Sequence, residues 1–165
     1  MEKTLVLIKP DAFADGHSGK IIARYEAEGF KIVALKLMKM TPSIAAKHYV
    51  EHIGRPYYEG LVEFMTSAPL IAMVLEGENV IKRVREINGA TNPLNAAEGT
   101  IRKLYARDGS KNAVHASDSP SSAAREISIF FSDFAYPAFS YVTDIIAEPG
   151  RLSYKSPDLI SLHYV

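Results

Sequence analysis

The chain has 165 residues, enough for one domain with a single sizeable core, and 47% of them are apolar against 23% charged, an ordinary balance for a globular protein. Its 19 basic residues match its 19 acidic ones, so there is no global positive field to hold nucleic acid, and any anion site must be a local cluster. The absence of cysteine removes disulfides, thiolate metal sites and cysteine nucleophiles.

Residues 4–8 are a short apolar run ending in Lys9-Pro10-Asp11 and read as a buried strand. The run is too short for a signal-peptide core, and nothing approaches the roughly 18 consecutive apolar residues of a membrane span, so a cytoplasmic protein without membrane contact is expected. Ile21, Ile22 and Tyr25 make a helical stripe closed by Gly29. Residues 31–40 alternate as a second strand, with Val33, Leu35 and Leu37 on one face. Thr41-Pro42 opens a helix, Gly54-Arg55-Pro56 breaks it, and Tyr57, Leu61, Phe64 and Met65 continue as a second helix of a helical hairpin. Residues 70–75 read as a buried strand, and Val80, Val84 and Ile87 mark a helix that Gly89 ends.

Residues 89–111 carry no clear periodicity, and their Thr, Asn, Pro, Gly and Arg content marks a functional loop. A strand at Ala113-Val114 follows, then a helix capped by Ser119, opened by Pro120 and carried by Ala123, Ile127, Phe130 and Phe131. The order β-α-β-(αα)-β-α-loop-β-α predicts an α+β, ferredoxin-like β-α-β-β-α-β antiparallel sheet with a helical-hairpin insertion. Residues 1–134 are expected to form one domain. Residues 135–165 are expected to be an extension that packs on the domain or a neighbouring subunit, because Phe139, Val142, Ile146, Leu152 and Ile160 are too apolar to leave in water.

The octet Asn112-Ala113-Val114-His115-Ala116-Ser117-Asp118-Ser119 puts a histidine where a strand gives way to a helix. Backbone N–H groups and the helix dipole there favour an anion, and an imidazole beside an anion site points to phosphoryl chemistry. With Lys9-Pro10-Asp11-Ala12, Gly54-Arg55-Pro56-Tyr57-Tyr58, Gly89-Ala90-Thr91-Asn92-Pro93 and Gly99-Thr100-Ile101-Arg102, the octet resembles the nucleoside diphosphate kinase family, in order from about residue 3 to residue 131.

That resemblance implies transfer of the γ-phosphoryl group from a nucleoside triphosphate to a nucleoside diphosphate, ping-pong through a phosphohistidine, with broad tolerance of the base. It implies His115 as the nucleophile, supported by Lys9, Tyr49, Glu126 and Ser117, with Glu126 accepting the second imidazole N–H. Lys9, Arg85, Thr91 and Arg102 would hold the phosphates, and Lys9 and Asn112 the ribose 3′-hydroxyl. Tyr57, phenylalanine in many members, would stack on the base, a role that leaves its hydroxyl dispensable. Mg²⁺ would arrive on the nucleotide phosphates with no side-chain ligands. The family also implies a homo-oligomer, tetramer or hexamer, for which an exposed second strand at a sheet edge is a natural pairing site. Four positions depart from the family pattern: Ala116 and Ala68 replace glycines, and Lys103-Leu104 replaces Gly-Asp.

Other patterns compete. Gly16-His17-Ser18-Gly19-Lys20 lacks the four residues between glycines, and the Ser or Thr after lysine, that a P-loop needs. His48-Tyr49-Val50-Glu51-His52 matches the H-x-x-E-H pattern of zinc peptidases, with both histidines on one face if the segment is helical. A nucleotide-binding protein without turnover is the remaining alternative.

Overall fold

The computed structural model describes residues 1–132. Among these, four strands make one antiparallel sheet: β1 (Glu2–Ile8), β2 (Lys31–Lys39), β3 (Pro69–Gly77) and β4 (Val114–Ala116), in the spatial order β2-β3-β1-β4. This is the ferredoxin-like order. The helices are α1 (Pro10–Ala14), α2 (Ser18–Ala27), α3 (Pro42–His48), α4 (Tyr58–Ser67), α5 (Val80–Asn88), α6 (Ile101–Tyr105) and α7 (Pro120–Phe130). The expected boundary at residue 134 and the whole extension lie outside the described residues.

β1 is central and buried on both faces. Val6 and Ile8 join Ile21, Tyr25, Val84 and Ile101 in one cluster, while Leu5 and Leu7 join Ala45, Met65 and Phe130 in the other. The sheet is therefore sandwiched between two apolar layers, which is why β1 reads as a continuous apolar run and not an alternating one.

The starts of α3 and α7 are built as their local signals require. The Thr41 hydroxyl accepts the Ile44 N–H, the Ser119 hydroxyl accepts the Ser122 N–H, and proline follows each cap. Gly29, at φ +83°, supplies the left-handed residue after α2. Two helices were not expected. α1 and α6 have five residues each, little more than a turn, too short to show a period. α6 lies inside the supposedly irregular 89–111 segment and is capped by the Thr100 hydroxyl.

β2 forms where its sequence suggests, but of the expected Val33-Leu35-Leu37 face only Val33 is half-buried, and Leu35 and Leu37 turn outward. Leu35 and Leu37 are 48% and 58% exposed, and a register irregularity lies between Ile32 and Ala34. β2 is an edge strand, and its core contact is made by Ile32, Ala34 and Met38.

Candidate active site

The site is assembled where β1 and β4 run side by side. β1 ends at Ile8, and Pro10 turns the chain into α1 at once. That turn buries Lys9 and Asp11. The Asp11 carboxylate accepts the Ala113 N–H at 3.0 Å, and the Lys9 N–H donates to the Ala113 carbonyl at 2.9 Å. Ala113 is held at φ +70°, a conformation that costs an alanine on the order of 1 kcal/mol. Clamped there, the chain kinks just before β4 and aims Asn112 and His115 into the same space.

Asn112 ties the neighbourhood together. Its Oδ1 accepts from Lys9 Nζ at 2.6 Å, and its Nδ2 donates to the carbonyls of Thr91 and Gly109 at 3.1 and 3.2 Å. Arg102 is fixed in a similar way, donating to the carbonyls of Gly89 (2.8 Å) and Val114 (2.9 Å). Gly89 is at φ +83°, and a Cβ there would lie 2.5 Å from the Thr100 hydroxyl, so only glycine lets the loop pass this close to α6.

His115 sits opposite Leu7 in the sheet, and Glu126 reaches it from the second turn of α7. His115 Nε2 and Glu126 Oε2 are 3.0 Å apart, and the Ser117 hydroxyl donates to the same oxygen at 2.7 Å. Burial pushes the Glu126 carboxyl up, but the hydrogen bonds from His115 and Ser117 and the charge of His115 outweigh it and hold the pKa below the usual value. An ionised Glu126 accepts the Nε2–H, and that tautomer leaves the lone pair on Nδ1.

Lys9 carries the largest shift among the site's cations. Burial and the nearby Arg102 lower its pKa to about 8, against the partial relief of Asp11 and Asp108. The Tyr49 hydroxyl is pushed up by burial and by Glu126, so it stays protonated.

Lys9, Tyr49, Tyr57, Arg85, Thr91, Arg102, Asn112, His115 and Glu126 all line one cavity of about 700 Å³. Ser117, fully buried, stands behind Glu126. Ala116 pairs with Val6 in β4, is 4% exposed and also lines the cavity, so its methyl group is accommodated.

A cavity of nucleotide size lined by five cations, Lys9, Arg85, Arg102, Lys111 and Arg125, with an exposed aromatic ring at 57 and an oriented imidazole, fits a phosphotransferase that acts on nucleotides. The family model described as nucleoside diphosphate kinase matches residues 2–136. The chain belongs to the nucleoside diphosphate kinase family. The nucleoside diphosphate kinase of Persephonella marina is 56% identical over 132 residues, 80% of this chain and 94% of that protein. That of Carboxydothermus hydrogenoformans is 53% identical over 133 residues, 81% and 89% of the two chains. Among solved structures, the Aquifex aeolicus nucleoside diphosphate kinase superposes with a TM-score of 0.77 at 50% identity, covering 79% of this chain and 94% of that one. A halophilic nucleoside diphosphate kinase from Halobacterium salinarum, solved in complex with CDP, gives 0.78 at 40% identity over 86% and 97% of the two chains. The protein is accordingly an enzyme of nucleotide phosphoryl transfer, in a family whose reaction generally uses a divalent metal.

The comparisons support neither the zinc-peptidase reading nor a nucleotide-binding protein without turnover. α3 stops at His48, and residues 50–52 tighten into a 3-10 turn, so His48 and His52 do not share a helix face. His52 instead bonds to Tyr57. The P-loop-like run ends inside the first turn of α2. No helix among the described residues is long and apolar enough to cross a membrane.

Sequence reasoning missed two residues. Asp11 shapes the kink at Ala113. His48, weighed only as a zinc ligand, packs edge-on against His115 with ring centroids 4.7 Å apart. It is 4% exposed, and neither ring nitrogen has a hydrogen-bond partner. Burial, and then the neighbouring His115, push its pKa down to about 3, so it is neutral at working pH. Nothing local in the sequence pairs residues 48 and 115.

Proposed function

We propose that His115 is the phosphoryl carrier and that the exchange is ping-pong. Nδ1 attacks the γ-phosphorus, the bond to the bridging oxygen breaks, and the nucleoside diphosphate leaves. The acceptor's terminal phosphate oxygen then attacks the same phosphorus, the N–P bond breaks, and Nδ1 recovers its lone pair. The observation that carries this reading is the Ser117–Glu126–His115 chain of hydrogen bonds, which fixes the tautomer and leaves a carboxylate to offset the positive charge of a phosphorylated imidazole. Lys9, Arg85, Arg102 and Thr91 would hold the phosphates, the arginines bidentately, and Lys9 and Asn112 the ribose 3′-hydroxyl. Tyr57 would stack on the base and Tyr49 would donate to the transferred group. Incubation with γ-labelled ATP should give an acid-labile phosphoenzyme that any nucleoside diphosphate discharges. A label that never reaches the protein would refute the two-step scheme.

Mg²⁺ fits as an ion carried by the nucleotide. Among the described residues, the one close trio of metal-ligating type is His48, His115 and Glu126, offering two imidazoles and a carboxylate already bonded to His115 and Ser117. Mg²⁺ prefers an octahedral oxygen shell, which this trio does not provide. On the phosphates the ion would neutralise charge developing at the transferred group.

Lys9 sets the alkaline limit. In the free enzyme it loses its charge as pH rises through about 8, and kcat/KM should then fall by up to about tenfold per pH unit. Bound phosphates oppose that loss, so the limb in kcat should lie at higher pH. Stability moves the other way. The folded chain binds fewer protons at Lys9 than the unfolded chain between pH about 8 and 10.5, so this residue's contribution rises with pH across that window. Lys9→Arg, charged throughout, should abolish the limb. A limb that survives this substitution belongs to another group.

A homo-oligomer built from dimers fits the β2 edge, where Leu35 and Leu37 are exposed beside unpaired backbone groups. Leu37→Lys should shift the protein toward monomer in light scattering, and an unchanged mass would place the interface elsewhere. A cytoplasmic location accords with nucleotide substrates.

A further inference from the structure

His52 has no part in the chemistry above, yet its Nδ1 lies 2.8 Å from the Tyr57 hydroxyl, with ring centroids 5.7 Å apart. Tyr57 is 54% exposed and forms part of the cavity wall. A ring that exposed would ordinarily sample several rotamers.

Here both ends of the hydrogen bond rest on stiff chain. The His52 N–H donates to the Tyr49 carbonyl at 2.9 Å, the Arg55 N–H to the His52 carbonyl at 3.0 Å, and the Tyr58 N–H to the Arg55 carbonyl at 3.0 Å. Gly54, at φ +83°, makes the reversal between them. On its other side the His52 ring meets Tyr49 edge-on, centroids 6.0 Å apart. Tyr49 meets His48 at 4.5 Å, and His48 meets His115 at 4.7 Å. A continuous row of rings thus links Tyr57 to the nucleophile.

We propose that His52 is a positioning residue for the nucleotide base: the Tyr57 hydroxyl donates to His52 Nδ1 and is pinned by it, so the ring stands as a preset platform before the base arrives. The inference rests on the reading that the base stacks on Tyr57. It reverses the expectation that the Tyr57 hydroxyl is dispensable. A phenylalanine at 57 would give the same ring face without the bond, so here affinity is tied to two side chains that act as one. The gain is pre-organisation, and it appears in binding, not in the phosphoryl-transfer step.

The test is calorimetric binding of ADP and CDP to the full chain, with the rate constant of phosphoenzyme formation measured in parallel. His52→Ala and Tyr57→Phe should each raise the nucleotide Kd about two- to fivefold, the range for a partly exposed hydrogen bond. The double variant should be no worse than either single one, because both remove the same bond. His52→Asn, which keeps an acceptor near the Nδ1 position, should lie close to the parent. In His52→Ala the saturated rate of phosphoenzyme formation, and the binding of pyrophosphate, which has no base, should not change. Additive effects, or two silent single variants while Tyr57→Ala still weakens nucleotide binding tenfold or more, would overturn the pin and leave the stacking role standing. A silent Tyr57→Ala would overturn both, because the base would then lie elsewhere.

Discussion

Replacing His115 with alanine should abolish the phosphoenzyme and lower nucleotide exchange by at least about 10³-fold, while ADP still binds. The two effects separate because different groups carry them. In the proposed mechanism the lone pair that attacks phosphorus belongs to His115 alone, whereas the charge that would hold phosphate comes from Lys9, Arg85 and Arg102. Lys9 is fixed through Asn112, and Arg102 through the carbonyls of Gly89 and Val114. None of these bonds passes through the imidazole. The substitution also leaves Glu126 with its Ser117 hydrogen bond and its ion pair with Arg125 at 3.8 Å, so the buried carboxylate stays partnered and the fold should hold. Labelled ATP and calorimetry on the purified variant would read both quantities. Exchange above one per cent of the parent would remove His115 from the role of carrier.

The second large effect concerns acid. His48 has a pKa near 3 in the folded chain against 6.5 for a free imidazole, with burial the main cause and His115, Arg125 and Lys9 adding to it against the pull of Glu126. Between those two values the unfolded chain binds a proton at His48 that the folded chain does not. Stability must therefore fall as pH drops through that window, by about 1.4 kcal/mol per unit at most. From pH 7 to pH 4.5 this amounts to roughly 2–3 kcal/mol, a large part of the 5–15 kcal/mol that typically separates folded from unfolded states. His48→Leu removes the titration and the two unpartnered ring nitrogens together. Urea unfolding at fixed protein concentration, compared at pH 7 and pH 4.5, should show the variant losing about 2–3 kcal/mol less than the parent. Equal losses in the two proteins would mean that His48 gains a proton in the folded state without difficulty. Catalysis should also suffer in the variant, because the ring packed against His115 is gone.

The two residues differ in how far the sequence foretold them. His115 is announced by its neighbours: a short apolar run before it, then Ser119 and Pro120, a cap and a first-turn proline. Such signals act within a few residues of chain, and they hold in the folded molecule because each satisfies its own backbone groups locally. The same holds for Thr41-Pro42 and for the glycines that end α2 and α5. The order of strands and helices followed from these signals, and with it the antiparallel ferredoxin-like sheet. The motif frame likewise brought Lys9, Arg85, Arg102, Asn112 and Glu126 forward, and all of them line one cavity.

What tertiary structure alone decided is every contact made across the sheet or between its layers. The pairing of β1 with β4 brings Asp11 to Ala113 and Lys9 to Asn112, each pair about a hundred positions apart, and no periodicity encodes a meeting at that distance. His48, at the end of α3, likewise meets His115 of β4 across 67 positions of chain. The outward face of β2 was open for a related reason, because alternation defines two faces and only the neighbouring layer selects which is buried. His52 is the sharpest case. Its spacing from His48 suits a metal pair on a continuous helix, but the helix ends at His48 and the tighter turn after it delivers His52 to Tyr57. A spacing rule assumes a backbone, and here the packed chain supplied a different one.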